Sequence, residues 1–264
     1  MLTEVKRHLS FFICCIRYNL AREMENRAAF IMQAVGMMAN NGIMILQWVV
    51  LFSIRETIGG YGFRDMALLW AMSSSTFGVA HALFVNVISI PALVTGGKLD
   101  AYLVQPKNAL VNVACSRMSV SAIGDFFYGI LLTVIVRVSP ASFLVFVAFA
   151  FTGGVTMAAF YTISGCLSFW LGNSEDLTGS LNNMLVTFGT YPEGLFGGMG
   201  KWVLYTFIPV GFVSYIPVKV LREFDIALAA GSILFACLLA VAAFVLFHRG
   251  LRKYNSGNLM SARI

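Results

Sequence analysis

Four stretches of this chain, 28–54, 66–97, 138–174 and 226–248, contain no Asp, Glu, Lys or Arg. Each exceeds the roughly 20 residues needed to cross about 30 Å of hydrocarbon as a helix. A soluble fold cannot place this much apolar sequence, because charged residues supply only 11% of the chain, against roughly 25% in ordinary soluble domains. Disordered, collagen-like, coiled-coil and disulfide-scaffold classes fail on the same composition. The sequence therefore describes an all-α, polytopic membrane protein. At 264 residues it forms a single membrane domain with no stretch left over for a second soluble one.

A shorter span fits 118–138, with Asp125 near its start and a turn at Ser139-Pro140-Ala141-Ser142, where Pro140 is expected to end the helix. The stretches 177–192 and 202–218 sit at the lower edge of spanning length. Between them lies Y-P-E-G-L-F-G-G-M-G, too rich in Gly and Pro for a helix interior. Two full crossings there give seven spans; one crossing plus a re-entrant hairpin gives six. Basic residues favour six. Lys6, Arg7, Arg17, Arg22 and Arg27, then Lys98, Lys107 and Arg117, then Arg249, Arg252, Lys253 and Arg263 fall on one side, which is 12 of the 18 Lys and Arg. Seven spans leave ten there and strand the C-terminal four outside, against the positive-inside tendency. The expected spans are 28–54, 66–95, 118–138, 143–173, 177–191 and 225–247, with a re-entrant outer segment at 192–218 and both termini cytoplasmic. The net charge of +6 fits cytoplasmic loops facing anionic lipid, and no basic run interleaved with aromatics points to nucleic acid.

Ahead of the first span, Leu9, Phe12, Ile13, Ile16 and Leu20 form one helical stripe. Phe11 and Tyr18 lie opposite. Residues 4–25 read as an interfacial amphipathic helix on the inner leaflet, or as a cytoplasmic extension of the first span. Arg17 interrupts the apolar run and no small-x-small site follows, so no secretory signal is expected. Cys14, Cys15, Cys115, Cys166 and Cys237 lack CxxC spacing and read as packing residues.

No HExxH, G-x-S-x-G or P-loop occurs, so protease, hydrolase and ATPase chemistry are not written here, and the chain is not expected to be an enzyme. His8, His81 and His248 are far apart in sequence, and His81 reads as a buried polar contact before a ligand or proton relay. No metal site is expected. Ion-coupled carriers place ionisable groups at mid-bilayer, and here Asp125 alone approaches that position. Energy for transport would then come from a partner.

Two segments depart from plain lipid-spanning sequence. At 96–108, Gly96 and Gly97 break the preceding helix, and Leu99, Tyr102 and Leu103 can share an apolar face of a short helix ending at Pro106, with Lys98 and Asp100 at its polar edge. That pattern suits a helix docking in a partner's groove or an interfacial turn. At 191–217, Pro192, Pro209 and Pro217 with five glycines between Gly194 and Gly211 preclude one straight helix. Irregular backbone at membrane depth survives when buried in protein or lining a wet cavity. Gly194 and Gly198 carry small-xxx-small spacing that permits close helix packing.

Three motifs in these segments carry a family resemblance: G-x-L-D-x-Y-L-x-Q-P at 97–106, Y-P-x-x-x-F at 191–196, and I-P-V-x-F-V-S-Y-x-P at 208–217. In that order, the chain resembles a permease subunit of a type-2 ATP-binding-cassette (ABC) exporter, in the bacterial branch of stand-alone six-span permeases. The resemblance implies an amphipathic connector helix, six spans and re-entrant outer helices between spans five and six. It implies that Gly97, Lys98, Leu99, Asp100, Tyr102, Leu103, Gln105 and Pro106 belong to the surface that receives the ATPase. It implies that Tyr191, Pro192, Phe196, Pro209, Tyr215 and Pro217 shape an outer gate. Glu193 and Gly194 depart from the small or apolar residues more usual after Y-P. The implied partners are an ABC ATPase, which binds ATP and Mg so that this chain carries no cofactor, a second permease, identical or different, and membrane lipid. The implied setting is a bacterial inner membrane. The implied role is half of an efflux pathway for an amphiphilic or toxic compound: a drug, organic cation, peptide or lipid. A non-transport scaffold and a gradient-driven carrier are the competing readings.

Overall fold

In a computed structural model, residues 2–255 are described, and they form helices joined by short loops, with no strand among the described residues. Arg263 and the last expected tail positions lie outside them. Thirteen α-helices follow in order: α1 (Leu2–Glu23), α2 (Arg27–Ile54), α3 (Phe63–Phe84), α4 (Ile90–Thr95), α5 (Asp100–Leu103), α6 (Ala109–Cys115), α7 (Ser121–Ile135), α8 (Pro140–Gly165), α9 (Ser168–Leu171), α10 (Glu175–Gly189), α11 (Gly198–Thr206), α12 (Ile216–Arg222) and α13 (Ile226–Leu251). A 3₁₀ turn at Val85–Ser89 joins α3 to α4, and a wide π-type turn at Gly211–Tyr215 feeds α12.

Four segments are long and apolar enough to cross a membrane: Arg27–Ile54, Phe63–Thr95, Pro140–Leu171 and Ile226–Leu251. A fifth is possible if Gly198–Thr206 and Gly211–Arg222, bent by 79°, count as one. α7 is apolar but holds only 15 residues, about 22 Å at 1.5 Å per residue. α10 is equally short and starts on Glu175 and Asp176.

Local chemistry sets the helix ends. Asn26 accepts from the Ala29 amide at 3.1 Å to start α2, and Asp225 accepts from Ala227 and Leu228 at 2.7 and 3.2 Å to start α13. Pro140 does not end a helix. α7 stops at Ile135, and Arg137 takes a left-handed φ of 52°. Ser139 then caps α8 with Pro140 in its first turn, where a missing N–H costs nothing.

α3 is the centre of the bundle, with more than half its residues buried. Glycines let its neighbours close on it. A Cβ at Gly129 of α7 would strike the Ala71 carbonyl and the Ser75 hydroxyl, and one at Gly78 would strike the α7 backbone at Ala122 and Phe126. Gly153 and Gly154 of α8 meet Thr76 and Val79 in the same way, and Gly124 of α7 meets Ala34 of α2. Small residues at helix crossings are how membrane helices gain dispersion contact when lipid offers no hydrophobic drive. Around this centre lie fully buried Met66, Leu69, Met72, Phe146 and Phe247.

α1 lies against the bundle through residues that sequence periodicity mixes. Phe12 stacks on Phe84 at 5.7 Å, and buried Asn19 donates to the Cys115 carbonyl at 2.9 Å. Ile13 of the expected apolar stripe is 45% exposed, as a side chain facing lipid would be.

The glycine contacts make a test with opposite signs. Gly129→Ala should cost about 1–3 kcal/mol by overpacking α3 against α7. Gly231→Ala in α13, with no atom within 4 Å of the new methyl, should be neutral or stabilising. Thermal unfolding midpoints in detergent check both.

Candidate functional site

Each of the two segments singled out in the sequence forms its own cluster, one at either end of the α3–α4 segment. Near the α4 end, Gly97 adopts a left-handed φ of 66° and turns the chain into α5. Leu99 is fully buried, and its amide donates to the Leu93 carbonyl at 3.1 Å. The Tyr102 hydroxyl lies 3.4 Å from Asn86 Nδ2 and 3.3 Å from Ser116 Oγ, while Asn86 also donates to the Val113 carbonyl and to Ser116 Oγ at 3.0 and 2.7 Å. Asn86 sits in the 3₁₀ turn, so this network ties α5 and α6 to the break in the α3–α4 segment. Asn108 Nδ2 meets His248 Nε2 at 3.0 Å and links the same loop to the end of α13.

The residues expected to share an apolar face are buried to different degrees. α5 spans four residues, and Leu99 points in while Leu103 is 41% and Val104 84% exposed. Leu103 lies one turn above Leu99, its amide donating to the Leu99 carbonyl at 3.2 Å, so burial falls along the helix from its packed start to its exposed end. Lys98, Gln105 and Pro106 are exposed, and Asp100 is half-buried.

At the other end, Gly59 and Gly60, with φ of 58° and 78°, close a two-residue turn whose Ile58 and Tyr61 exchange backbone hydrogen bonds of 3.0 Å. The 3₁₀ turn Glu193–Leu195 rests on it: a Cβ on Gly194 would run into the Gly59 backbone. Gly194 thus serves close approach to a loop, and Gly198, with open space around it, packs against no helix. The small-xxx-small reading is corrected accordingly.

Sequence reasoning left Glu193 as an oddity; the structure makes it the hub. It is 5% exposed. Oε1 accepts from Lys201 at 2.7 Å and the Tyr205 hydroxyl at 2.9 Å, and Oε2 accepts from Lys219 at 2.6 Å. One carboxylate therefore pins α11 and α12 to the turn after α10. Burial pushes its carboxyl up, but the hydrogen bonds from Lys201, Lys219 and Tyr205 outweigh this and hold it below the usual glutamate range. Arg222 pairs with Asp65 at 3.3 Å and lies 5.8 Å over the Tyr61 ring. The sequence signal was available: Glu193 is the one acid in the Gly/Pro-rich 192–218, which holds Lys201 and is followed directly by Lys219.

Of the expected gate residues, Pro192, Pro209, Tyr215 and Pro217 are buried. The Tyr215 hydroxyl donates to the Phe188 carbonyl at 2.8 Å, and Phe196 meets the Phe188 ring at 5.5 Å. Tyr191 turns away, 41% exposed, with its ring 6.0 Å from Trp48 of α2.

Gly189, Val213 and Ser214 also border a cavity of about 220 Å³ between α2, α3, α7, α8 and α10. Ser73 donates to the Gly189 carbonyl at 2.5 Å and shares a 3.0 Å hydrogen bond with Ser214. Asp125, 2% exposed, lines the cavity and accepts from Asn41 Nδ2 at 2.6 Å through Oδ1. Its Oδ2 has no hydrogen-bond partner. Among the described residues, no group of His, Cys, Asp and Glu is placed to hold a metal ion.

Long apolar helices around a tightly packed centre, with a broken segment beside a partly open cavity, define a multi-pass membrane protein. Residues 38–257 match the model of the ABC-2 family transporter proteins, and the chain belongs to that family. Among curated proteins, no match to the chain is found. Family membership makes it the transmembrane component of an ABC transporter, generally non-catalytic itself, and implies an ABC ATPase partner.

The Glu193 hub predicts a pH response with a defined sign. A carboxyl lowered in the folded state contributes stability above the ordinary glutamate value of about 4.3, lost as pH falls through its lower folded value. The segment 193–206 should therefore keep its amide protection across neutral pH and lose it only in acid below about pH 4. Glu193→Gln should raise hydrogen–deuterium exchange there roughly tenfold to a hundredfold at neutral pH.

Proposed function

We propose that this chain forms half of an export pathway for an amphiphilic or toxic compound, closed on the outside by residues 192–218 and driven from the inside through residues 97–106. In this reading the bundle has six crossings: the four long segments, α7 and α10. The bent pair α11–α12 is a re-entrant segment, and both termini lie in the cytoplasm of a bacterial inner membrane. The short lengths of α7 and α10 suit helices that end beneath or beside a re-entrant element. A second permease, identical or different, supplies the other half, and the ATPase partner binds ATP and Mg.

The observation that carries the proposal is the tip at Leu103 and Val104. Two apolar side chains stand exposed on a loop whose base is buried through Leu99 and wired through Tyr102 and Asn86 to the break in the α3–α4 segment. An apolar tip on a braced base suits insertion into a partner's groove. Displacement of that tip reaches α3, and α3 lines the cavity beneath the outer segment. For ATP binding to drive opening, the ATPase must grip this tip differently in the closed and open states. Gly97 and Lys98 set the approach to the tip; Asp100, Gln105 and Pro106 frame it. Tyr191, Pro192, Phe196, Pro209, Tyr215 and Pro217 then form the outer closure, with Glu193 as its clip.

Leu103→Asp should leave insertion and folding unchanged, because the side chain is exposed, while lowering transport-coupled ATP hydrolysis by about tenfold or more, a loss on the scale of one interface hot spot. Hydrolysis by the reconstituted complex, with and without the substitution, measures this. Unchanged coupling in a normally assembled complex would remove the loop from the ATPase interface.

A further inference from the structure

We propose that the central cavity binds a small aromatic cation, with the free oxygen of Asp125 as its counter-charge and Trp70 and Phe77 as its aromatic wall. The inference rests on the reading of the chain as an export pathway and narrows what that pathway carries.

A carboxylate buried in an apolar wall is costly unless both oxygens are satisfied or a positive charge sits beside it. Asn41, at the middle of α2, serves Oδ1. Oδ2 is unserved, and among the described residues no lysine, arginine or histidine lines the cavity. Among the described residues Asp125 is thus the single ionisable side chain on that wall; an empty cavity favours its neutral, protonated form, and a guest cation is the partner that would favour the carboxylate. An anionic guest meets the carboxylate and finds no compensating base. A hard metal ion wants about six oxygen ligands, and this wall offers mainly apolar surface. Trp70 and Phe77 provide π faces that attract cations at close range, and Met37, Met44 and Met157 provide polarizable thioethers that adapt to an aromatic ring. The Trp70 indole N–H also lacks a partner. The serine hydroxyls do not compete, since Ser73 and Ser214 are bonded to each other, and Ser73 donates to Gly189. Size sets the remaining limit. A space of about 220 Å³ lies below the roughly 300–1,000 Å³ of drug-sized pockets, so it suits a one-ring cation or the cationic end of a longer amphiphile.

The contrast with the other buried acid sharpens the assignment. Glu193 is surrounded by two lysines and a tyrosine hydroxyl and needs no further partner. Asp125 is left half-satisfied beside an opening.

Purified full-length chain in phosphatidylcholine nanodiscs should bind benzyltrimethylammonium saturably in equilibrium dialysis, and benzenesulfonate, an aromatic anion, should not bind saturably. Asp125→Asn should weaken the cation at least tenfold. Trp70→Leu, which leaves the Asn41–Asp125 bond in place, should weaken it several-fold and serves as the deciding variant if Asp125→Asn fails to insert. Absence of saturable cation binding, equal binding by the inserted variants, or equally tight binding of benzenesulfonate overturns the proposal. None of these measurements needs the ATPase. A chain that binds the cation but whose ATPase coupling ignores Leu103→Asp keeps this inference and loses the export reading. A chain whose ATPase coupling depends on Leu103 but that ignores the cation does the reverse.

Discussion

Backbone amides and carbonyls have no water to fall back on inside a bilayer, so every place where this chain leaves helical geometry must be repaired from within the protein. The end of α10 shows how. Its last carbonyls have no intrahelical donors, and side chains from distant elements take them: the Tyr215 hydroxyl binds Phe188 O, and the Ser73 hydroxyl binds Gly189 O. Tyr215 is itself fully buried and starts α12. The outer segment is therefore held by a handful of side-chain bonds and one carboxylate hub, not by a continuous helical ladder. Such bonds can be broken and remade together, which a long helix cannot do without unwinding. This is the property that the proposed closure role of residues 192–218 would use.

A moving closure needs a fixed frame, and the glycine contacts provide it. α3 is gripped by Gly129 of α7 and by Gly153 and Gly154 of α8, so dispersion contact along these crossings is close and intolerant of added atoms. The outer helices differ. α2 and α13 present Ile31, Met32, Leu46, Val50, Leu234, Leu238 and Val241 largely exposed, a surface that in a membrane faces lipid or a neighbouring apolar chain. Rigidity at α3 joins the α5–α6 cluster to the cavity. The 3₁₀ turn at Val85–Ser89, where Asn86 ties in α5 and α6, is the natural place for an applied force to enter that rigid element.

What could be read from the sequence follows from the range of the forces involved. Charge-free runs are local and long, so 28–54, 66–95 and 225–247 come within a few residues of α2, α3–α4 and α13. Pro140 was misread because proline at a helix start and proline after a helix end look alike until the capping serine is placed. Leu99 and Leu103 differ in burial because burial depends on which distant elements cover each end of the loop, which local periodicity does not encode. Glu193 looked like a blemish on a motif because its two lysines lie 8 and 26 residues away and meet it only when α11 and α12 fold back. The cavity was not legible at all: Asn41, Ser73, Asp125, Gly189 and Ser214 come from separate parts of the chain, and no spacing rule links them.

The two buried acids finally separate holding from handling. Glu193 spends its whole hydrogen-bonding capacity inside the protein, on groups that order three pieces of backbone. Removing that carboxylate frees partly exposed lysines, which water can solvate, so the cost falls on the order of the outer segment rather than on stranded charge. Asp125 orders little: one contact to Asn41, between helices already locked by Gly124 against Ala34. Without the carboxylate, Asn41 keeps its second hydrogen bond, from Nδ2 to the Met37 carbonyl at 3.0 Å, so the fold loses little bonding with it. A costly group that the fold does not need is explained most simply by something that visits the cavity, and the unserved oxygen marks where that visitor's charge would rest.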